Sequence, residues 1–261
     1  MTISQICEAR TRILSVRLAN CDADIVAAQA LRWDVFCEER GAIVESASSG
    51  LDVDPFDAIC DHLLVEDSAS GAPTVVGTYR LLRESVARAQ GGFYSTSEYD
   101  LDRLSIQPEP ESELLELGRS CVAPTYRDAG TIQLLWRGIA NYLELHRISL
   151  MFGCASFHGI DPEDHADTLS YLYHNHLAPP HLRARALSER HVEMARLPIG
   201  GYDPRQAMRK LPPLIKGYLR VGAMVGDGAV IDAPFNTVDV FMVMPVAAIS
   251  ARYMGRFGAV A

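Results

Sequence analysis

One stretch constrains the fold more than any other: residues 113–158. It reads ELLELGRSCV, a turn opened by Pro124, the amphipathic run AGTIQLLWRGIANYLELHR, and then ISLMFGCASF. The last run is almost continuously apolar, as a strand covered on both faces must be. The middle run repeats apolar residues at helical spacing. Strand, crossover helix and strand imply a parallel pair joined by a right-handed connection. An all-helical bundle or a purely antiparallel sandwich is therefore excluded.

The flanking segments extend this unit. RILSVRLAN (12–20) alternates as a first strand, and Asp22 can cap a helix over about 23–39. Residues 40–60 form a loop ending in DVDPFD. DHLLVED and TVVGTYRLLR are two strands joined by SASGAP, and 84–104 is helical or irregular. DPEDHADTLSYLYHNHL predicts a helix capped by Asp161 with Pro162 at its first position. Beyond about 179 the texture changes: a short helix, a strand pair around a Gly226-Asp-Gly228 turn, and an amphipathic helix from 245. The expected class is α+β, a mixed central sheet flanked by helices. The expected organisation is one domain over 1–261, with a core at about 12–180 and a C-terminal elaboration at about 181–261.

Several chemistries can be set aside. With 24 Lys and Arg against 33 Asp and Glu the net charge is −9, which disfavours binding to nucleic-acid backbones. His174 and His176 face apart on a helix, no His-Glu-x-x-His is present, and no metal site is expected. Ser156 and His158 lack a nucleophile-elbow context, and there is no phosphate-binding P-loop. The six cysteines show no Cys-x-x-Cys pair and read as reduced thiols. No signal peptide and no apolar run of membrane-spanning length is visible, so a cytoplasmic protein is expected.

What remains is a set of charges in apolar surroundings. Arg32 lies on the first helix, Asp52, Asp54 and Asp57 follow in the loop, and Arg80 interrupts the third strand. Glu116 and Arg119 interrupt ELLELGRSCV. Such charges are costly to bury unpaired. Two readings stand: structural ion pairs, or a site where carboxylates hold an ammonium and arginines fork a carboxylate. Residues three apart on a regular strand face opposite ways, so Glu116 and Arg119 can share a pocket only across a bulge, expected at Gly118. A strand splayed there would present free N–H groups to a thioester oxyanion.

The order LRWDVFCEERGA, DVDPFD, HLLV, VVGTYRLLR, YSTSEYDL, LELGRSCV, LWRGIANY, LMFGCASFHG and LPPLIKGYLRVGA resembles the ornithine–acyl-carrier-protein N-acyltransferases of bacterial ornithine-lipid synthesis, in the GNAT superfamily. It is also similar to the acyl-homoserine-lactone synthases. Against that second family, Gly118 replaces a usual Ser and the chain continues for about 60 further residues, so the first resemblance is preferred. A GNAT-like sheet is implied, with the donor's pantetheine arm between the fourth and fifth strands. Arg127-Asp-Ala-Gly130 keeps two anchors of the phosphate loop, while Ile132 replaces its small third residue. That departure favours acyl-phosphopantetheine on acyl carrier protein over coenzyme A, with no permanently bound cofactor.

The resemblance implies a division of roles. Glu116 is the expected base for the α-amine of ornithine, with Arg119 beside it in the catalytic strand. Asp54 and Asp57 are expected to meet the side-chain ammonium, Arg32, Arg80 or Arg119 the carboxylate, and Asp52 is a further substrate-binding candidate. Cys121, Val122, Arg127, Gly130 and Ser156 would line the donor site, the N–H groups near Cys121 and Val122 facing the oxyanion. A carrier protein would dock on Arg127, Arg137, Arg205, Arg209, Lys210 and Lys216. The last helix can pack on the core or touch the inner membrane peripherally. The alternatives are a signal synthase using S-adenosylmethionine and a non-enzymatic GNAT-like lipid- or partner-binding protein.

Overall fold

A computed structural model describes residues 11–44, 46, 49–102, 104 and 112–249. Nine strands form its sheet: β1 (Leu14–Leu18), β2 (Asp61–Asp67), β3 (Thr74–Arg83), β4 (Tyr99–Asp100), β5 (Glu113–Val122), β6 (Ile148–His158), β7 (Arg185–Ala186), β8 (Met224–Asp232) and β9 (Thr237–Pro245). The helices are α1 (Asp22–Trp33), α2 (Glu84–Ala89), α3 (Ala129–Leu145), α4 (Ala166–His176), α5 (Pro204–Lys210) and α6 (Pro213–Arg220). The spatial order is β1-β2-β3-β5-β6-β9-β8-β7-β4. The β5–β6 pair is parallel, as the strand–helix–strand reading requires, and most other pairs are antiparallel.

β6 lies inside the sheet between β5 and β9, which accounts for its nearly unbroken apolar sequence. Two helices cover opposite faces beside β5. Leu135 and Ile139 of α3 pack with Leu63, Val65 and Val122, while Leu31 and the following Val35 pack with Cys121. Adjacent strand residues point to opposite faces, so Cys121 and Val122 carry one helix each. α3 approaches closely because Gly138 faces Leu63 and Val16; a Cβ there would meet Leu63 at 2.7 Å. After Trp33, α1 continues as a π-helical turn, Asp34–Glu39.

Two expectations for the last third differ. Gly226-Asp-Gly228 is not the hairpin turn but an irregularity within β8, where pairing with β9 shifts between Val225 and Ala229. Both glycines are required by crowding: a Cβ would lie 2.7 Å from the Ala184 carbonyl at Gly226 and 2.4 Å from His191 at Gly228. The turn falls at residues 233–236, closed by Asn236 in the left-handed region (φ 54°). The helix expected from 245 is replaced at its start by the end of β9 and a single 3-10 turn, Val246–Ala248; its remainder, 250–261, lies outside the described residues.

Candidate active site

β5 and β6 pair only from Glu113↔Ile148 to Glu116↔Phe152. The ladder stops where the backbone carbonyl of Leu117 leans on Gly153; a Cβ on Gly153 would sit 2.1 Å from that oxygen. Beyond this point the strands part and frame a cleft of about 450 Å³. Glu116, Arg119 and Val122 of β5, Ser156 of β6, Trp136 of α3 and Gly217 of α6 are among the residues around it.

Glu116 and Arg119 reach the same cleft through a bulge, one residue later than expected. Arg80 pairs with Gly118 and Thr78 with Cys121, so Arg119 and Ser120 together oppose Tyr79 alone. Arg119 itself takes the left-handed conformation (φ 49°), a costly one for a non-glycine residue. Its guanidinium offsets that cost through contacts: 3.1 Å to Asp54, 3.3 Å to Asp52, and the face of Phe235 at 4.3 Å.

The three aspartates and three arginines singled out in the sequence do meet, but they pair with one another. Arg32, fully buried, binds Asp52 and Asp57 at 2.8 Å each. Arg80 binds Asp54 at 2.6 Å and Asp57 at 3.2 Å. Asp54 and Asp57 also form a capping box around the 3-10 turn Pro55–Ala58. Burial pushes the Asp57 carboxyl up, but Arg32, Gln29 and Arg80 outweigh it and hold it well below the usual carboxylate range. With charges matched three to three, neither Asp54 nor Asp57 is left over for a ligand cation. Arg32 sits behind the cleft rather than on it, whereas Arg80 and Arg119 line it.

Glu116 is almost completely buried and accepts three hydrogen bonds. The N–H groups of Tyr94 and Ser95 donate at 2.8 Å each and the Ser95 hydroxyl at 2.5 Å. Burial still raises its pKa above the ordinary glutamate value, the hydrogen bonds and Arg80 offsetting only part of the cost. The acid thus fixes the 94–97 turn against the cleft while keeping a higher proton affinity than a surface glutamate.

At the donor end the candidate residues separate. Ala123 N–H bonds Val76 and Cys121 faces Thr78 in the β3 ladder. Strand alternation then turns the Val122 N–H away from β3, toward the cleft. The Cys121 thiol, pushed up to about 12 by burial, stays protonated at neutral pH and is a poor nucleophile. Asp128 caps α3 by accepting the Thr131 N–H at 3.1 Å and also pairs with Arg12. Arg127 holds Glu39 at 2.5 Å and the Val122 carbonyl at 3.0 Å. A phosphate at Arg127–Gly130 would therefore have to displace Asp128 and Glu39. Ile132 stands exposed on the cleft wall.

Sequence reasoning misses three acids beside this cleft. Asp239 of β9, opposite Ser156, and Asp232 at the end of β8 line it; Glu98 lies behind. A signal exists for Asp239, a lone acid in the apolar run TVDVFMVM, by the same reasoning that picks out Glu116.

Residues 31–137, from α1 through β5 to α3, match the family described as Acetyltransferase (GNAT) domain. The chain is 51% identical over 251 residues to an L-ornithine N(alpha)-acyltransferase of Brucella abortus, covering 94% of this chain and 89% of that protein. The chain belongs to the L-ornithine N(alpha)-acyltransferase family. A second member, from Rhizobium meliloti, is 48% identical over 94% of this chain and 84% of its own length. As a member the protein is an acyltransferase with a GNAT-like fold. Solved structures agree on the fold: FeeM, an N-acyl amino acid synthase from uncultured soil microbes, superposes with TM-score 0.54 at 10% identity over 94% of this chain and 99% of its own. The acyl-homoserine-lactone synthase LasI gives 0.50 at 13% identity over 97% and 98%. No helix among the described residues of this family member is long and apolar enough to cross a membrane.

Proposed function

We propose that the protein transfers a 3-hydroxyacyl chain from the thioester of acyl carrier protein to the α-amine of L-ornithine, giving lyso-ornithine lipid. The observation that carries this reading is the cleft opened where β5 leaves β6, with Glu116 at its apex and the Val122 N–H on its wall. An extended pantetheine arm would take the place of the missing strand partner along β5. The acyl carbonyl would then point at the Val122 N–H, which would stabilise the developing oxyanion. The relatives' printed activity supplies the amine.

The ammonium of free ornithine must lose a proton before it can attack. Glu116, its proton affinity raised by burial, takes that proton directly or through a water. The amine nitrogen adds to the carbonyl carbon, the C–N bond forms and the C–S bond breaks. Of the two protons the ammonium gives up, one ends on the departing sulfur and one in water. With Cys121 protonated, direct transfer is favoured over an acyl-enzyme. Arg119 is the candidate for the substrate carboxylate, with Arg80 behind it: Asp52 and Asp54 hold the Arg119 Nε and Nη2, while the Arg119 Nη1 makes a long 3.4 Å contact with the Tyr94 hydroxyl. For the carrier, Pro213 and Gly217 place α6 at the cleft, near Lys216; Arg137, Arg205 and Arg209 are exposed on α3 and α5 and offer charge to an acidic partner.

The test is to mix the purified protein with 3-hydroxyacyl-carrier protein and L-ornithine, and to follow carrier thiol release and lyso-ornithine lipid by mass spectrometry. Parallel arms replace the donor with acyl-coenzyme A and the acceptor with S-adenosylmethionine. Product with carrier and ornithine alone is expected. An intact thioester in every arm, or a lactone product, sinks the reading.

A further inference from the structure

The acids expected to hold a substrate cation are consumed by Arg32, Arg80 and Arg119, yet the cleft carries a second acidic group with no such balance. Asp239 is 7% exposed and lines the cleft, and among the described residues its Oδ1 has no hydrogen-bond partner, the Ser156 and Thr237 hydroxyls standing beside the carboxyl. Such an orphaned buried carboxylate oxygen costs free energy unless a ligand completes it. Asp232 lines the same wall at the end of β8, half-buried, and accepts the Phe235 N–H at 3.3 Å. Glu98 stands behind, touching the Cys154 thiol and, at 3.5 Å, Arg190. Facing Asp239 are Asp232 from β8, Glu98 from the 94–98 segment, Arg119 from β5, the Cys154 thiol of β6, Tyr99 of β4, the hydroxyls of Ser156 and Thr237, and, through Glu98, Arg190. Arg119 is already held by Asp52 and Asp54, so among the described residues negative charge is in surplus here.

We propose that Asp239, with Asp232 at the rim, seats the side-chain ammonium of a diamino-acid acceptor and thereby selects it over neutral amino acids. This rests on the proposed ornithine acylation and names the group that reads the substrate's far end. The spacing fits. Ser95, bonded to Glu116, touches Cys154 at 3.8 Å, and Asp239 sits opposite Ser156, two residues further along β6. Two strand residues span roughly 6.6 Å, and the five bonds between the two nitrogens of ornithine span roughly 6 Å when extended. With its α-amine at Glu116, the acceptor would carry its second nitrogen toward Asp239, which lines the same cleft. Burial and mutual repulsion push Asp239 up to about 6 and Glu98 up to about 7, and a bound ammonium relieves both.

The experiment compares kcat/KM for L-ornithine and L-norvaline, which has the same carbon chain without the second amine, using the full protein and acyl carrier donor. The wild-type protein is expected to prefer ornithine by about a hundredfold or more. Asp239→Asn is expected to lose most of that preference by weakening ornithine alone, and Asp232→Asn to lose roughly tenfold. The wild-type preference should also shrink as pH falls through about 6, a ratio from which the α-amine's own titration cancels. Calorimetric binding of ornithine against norvaline to the donor-free protein supplies a readout independent of turnover. If Asp239→Asn does not fold, Asp232→Asn and the pH dependence of the ratio decide. Equal losses for both amino acids, or a pH-independent preference, overturn the proposal while leaving ornithine acylation standing. A wild-type protein that acylates neither amino acid overturns the functional reading and this inference with it.

Discussion

Glu116 and Arg32 show how differently two buried charges can be employed. Glu116 has three donors around one carboxylate and a place on the cleft. Glu116→Gln removes the base and also turns an amide N–H₂ toward backbone donors at Tyr94 and Ser95. We expect kcat to fall about 10²–10⁴-fold, the usual range for lost general-base catalysis, with a stability loss of about 1–3 kcal/mol for the mismatched donors. A pH–rate profile separates the two, since only loss of the base removes the acidic limb. Arg32 does not reach the cleft, and removing it strands Asp52 and Asp57 in a buried setting. Arg32→Met should cost about 3–5 kcal/mol in urea unfolding, while the KM of the surviving folded fraction stays unchanged. A large KM effect with unaltered stability would instead return Arg32 to the substrate.

At the level of elements, the decisive event is the parting of β5 from β6. Gly153 stands at the parting and lets the Leu117 carbonyl approach where any side chain would collide. Gly153→Ala is expected to push β6 away from β5 at the apex, displacing Glu116 and losing at least tenfold in kcat/KM for the acyl donor. Unchanged kinetics with a normal unfolding midpoint would show that the apex tolerates the methyl group. The Arg119 bulge is the second device. It brings two charges three residues apart to one pocket; sequence reasoning finds the need for it but misplaces it at Gly118. Glycine is the natural choice on conformational grounds alone; the ion pairs and the Phe235 ring that hold Arg119 in place come from elements far away in sequence.

Across the molecule, charge is sorted into a neutral brace and an acidic seat. The brace of Arg32, Arg80 and Arg119 against Asp52, Asp54 and Asp57 joins α1, the 50s loop, β3 and β5, whereas among the described residues the acids Glu98, Asp232 and Asp239 stand opposite with Arg190 beside Glu98. This sorting has a pH signature. Glu98 and Asp239 bind protons more tightly folded than unfolded, so their contribution to stability is present below the unfolded carboxylate range of about 4 and is lost as pH rises through about 6 to 7. Asp57 has the opposite sign: its stabilisation is present above about 4 and is lost only at more acidic pH. Asp239→Asn should therefore raise the melting temperature at pH 8 relative to wild type, and do so less or not at all at pH 5. A shift equal at both pH values would show that the carboxylate is not strained by its surroundings.

The amino-acid order was enough to specify the parallel β5–α3–β6 unit, the boundaries of β2, β3 and β5, and the charges worth following. Those properties rest on periodicity, caps and the cost of burying a charge, all local to a dozen residues. The partners of those charges were not legible, because Asp54 meets Arg80 and Arg119 only after β3 and β5 are laid side by side. It took the assembled sheet to show that the acids beside the arginines neutralise them, and that Asp239, on a strand added from the far end of the chain, has an oxygen in the cleft with no partner among the described residues. Pairing is a property of distance in space, and a charge reads the same in sequence whether its partner waits or is absent.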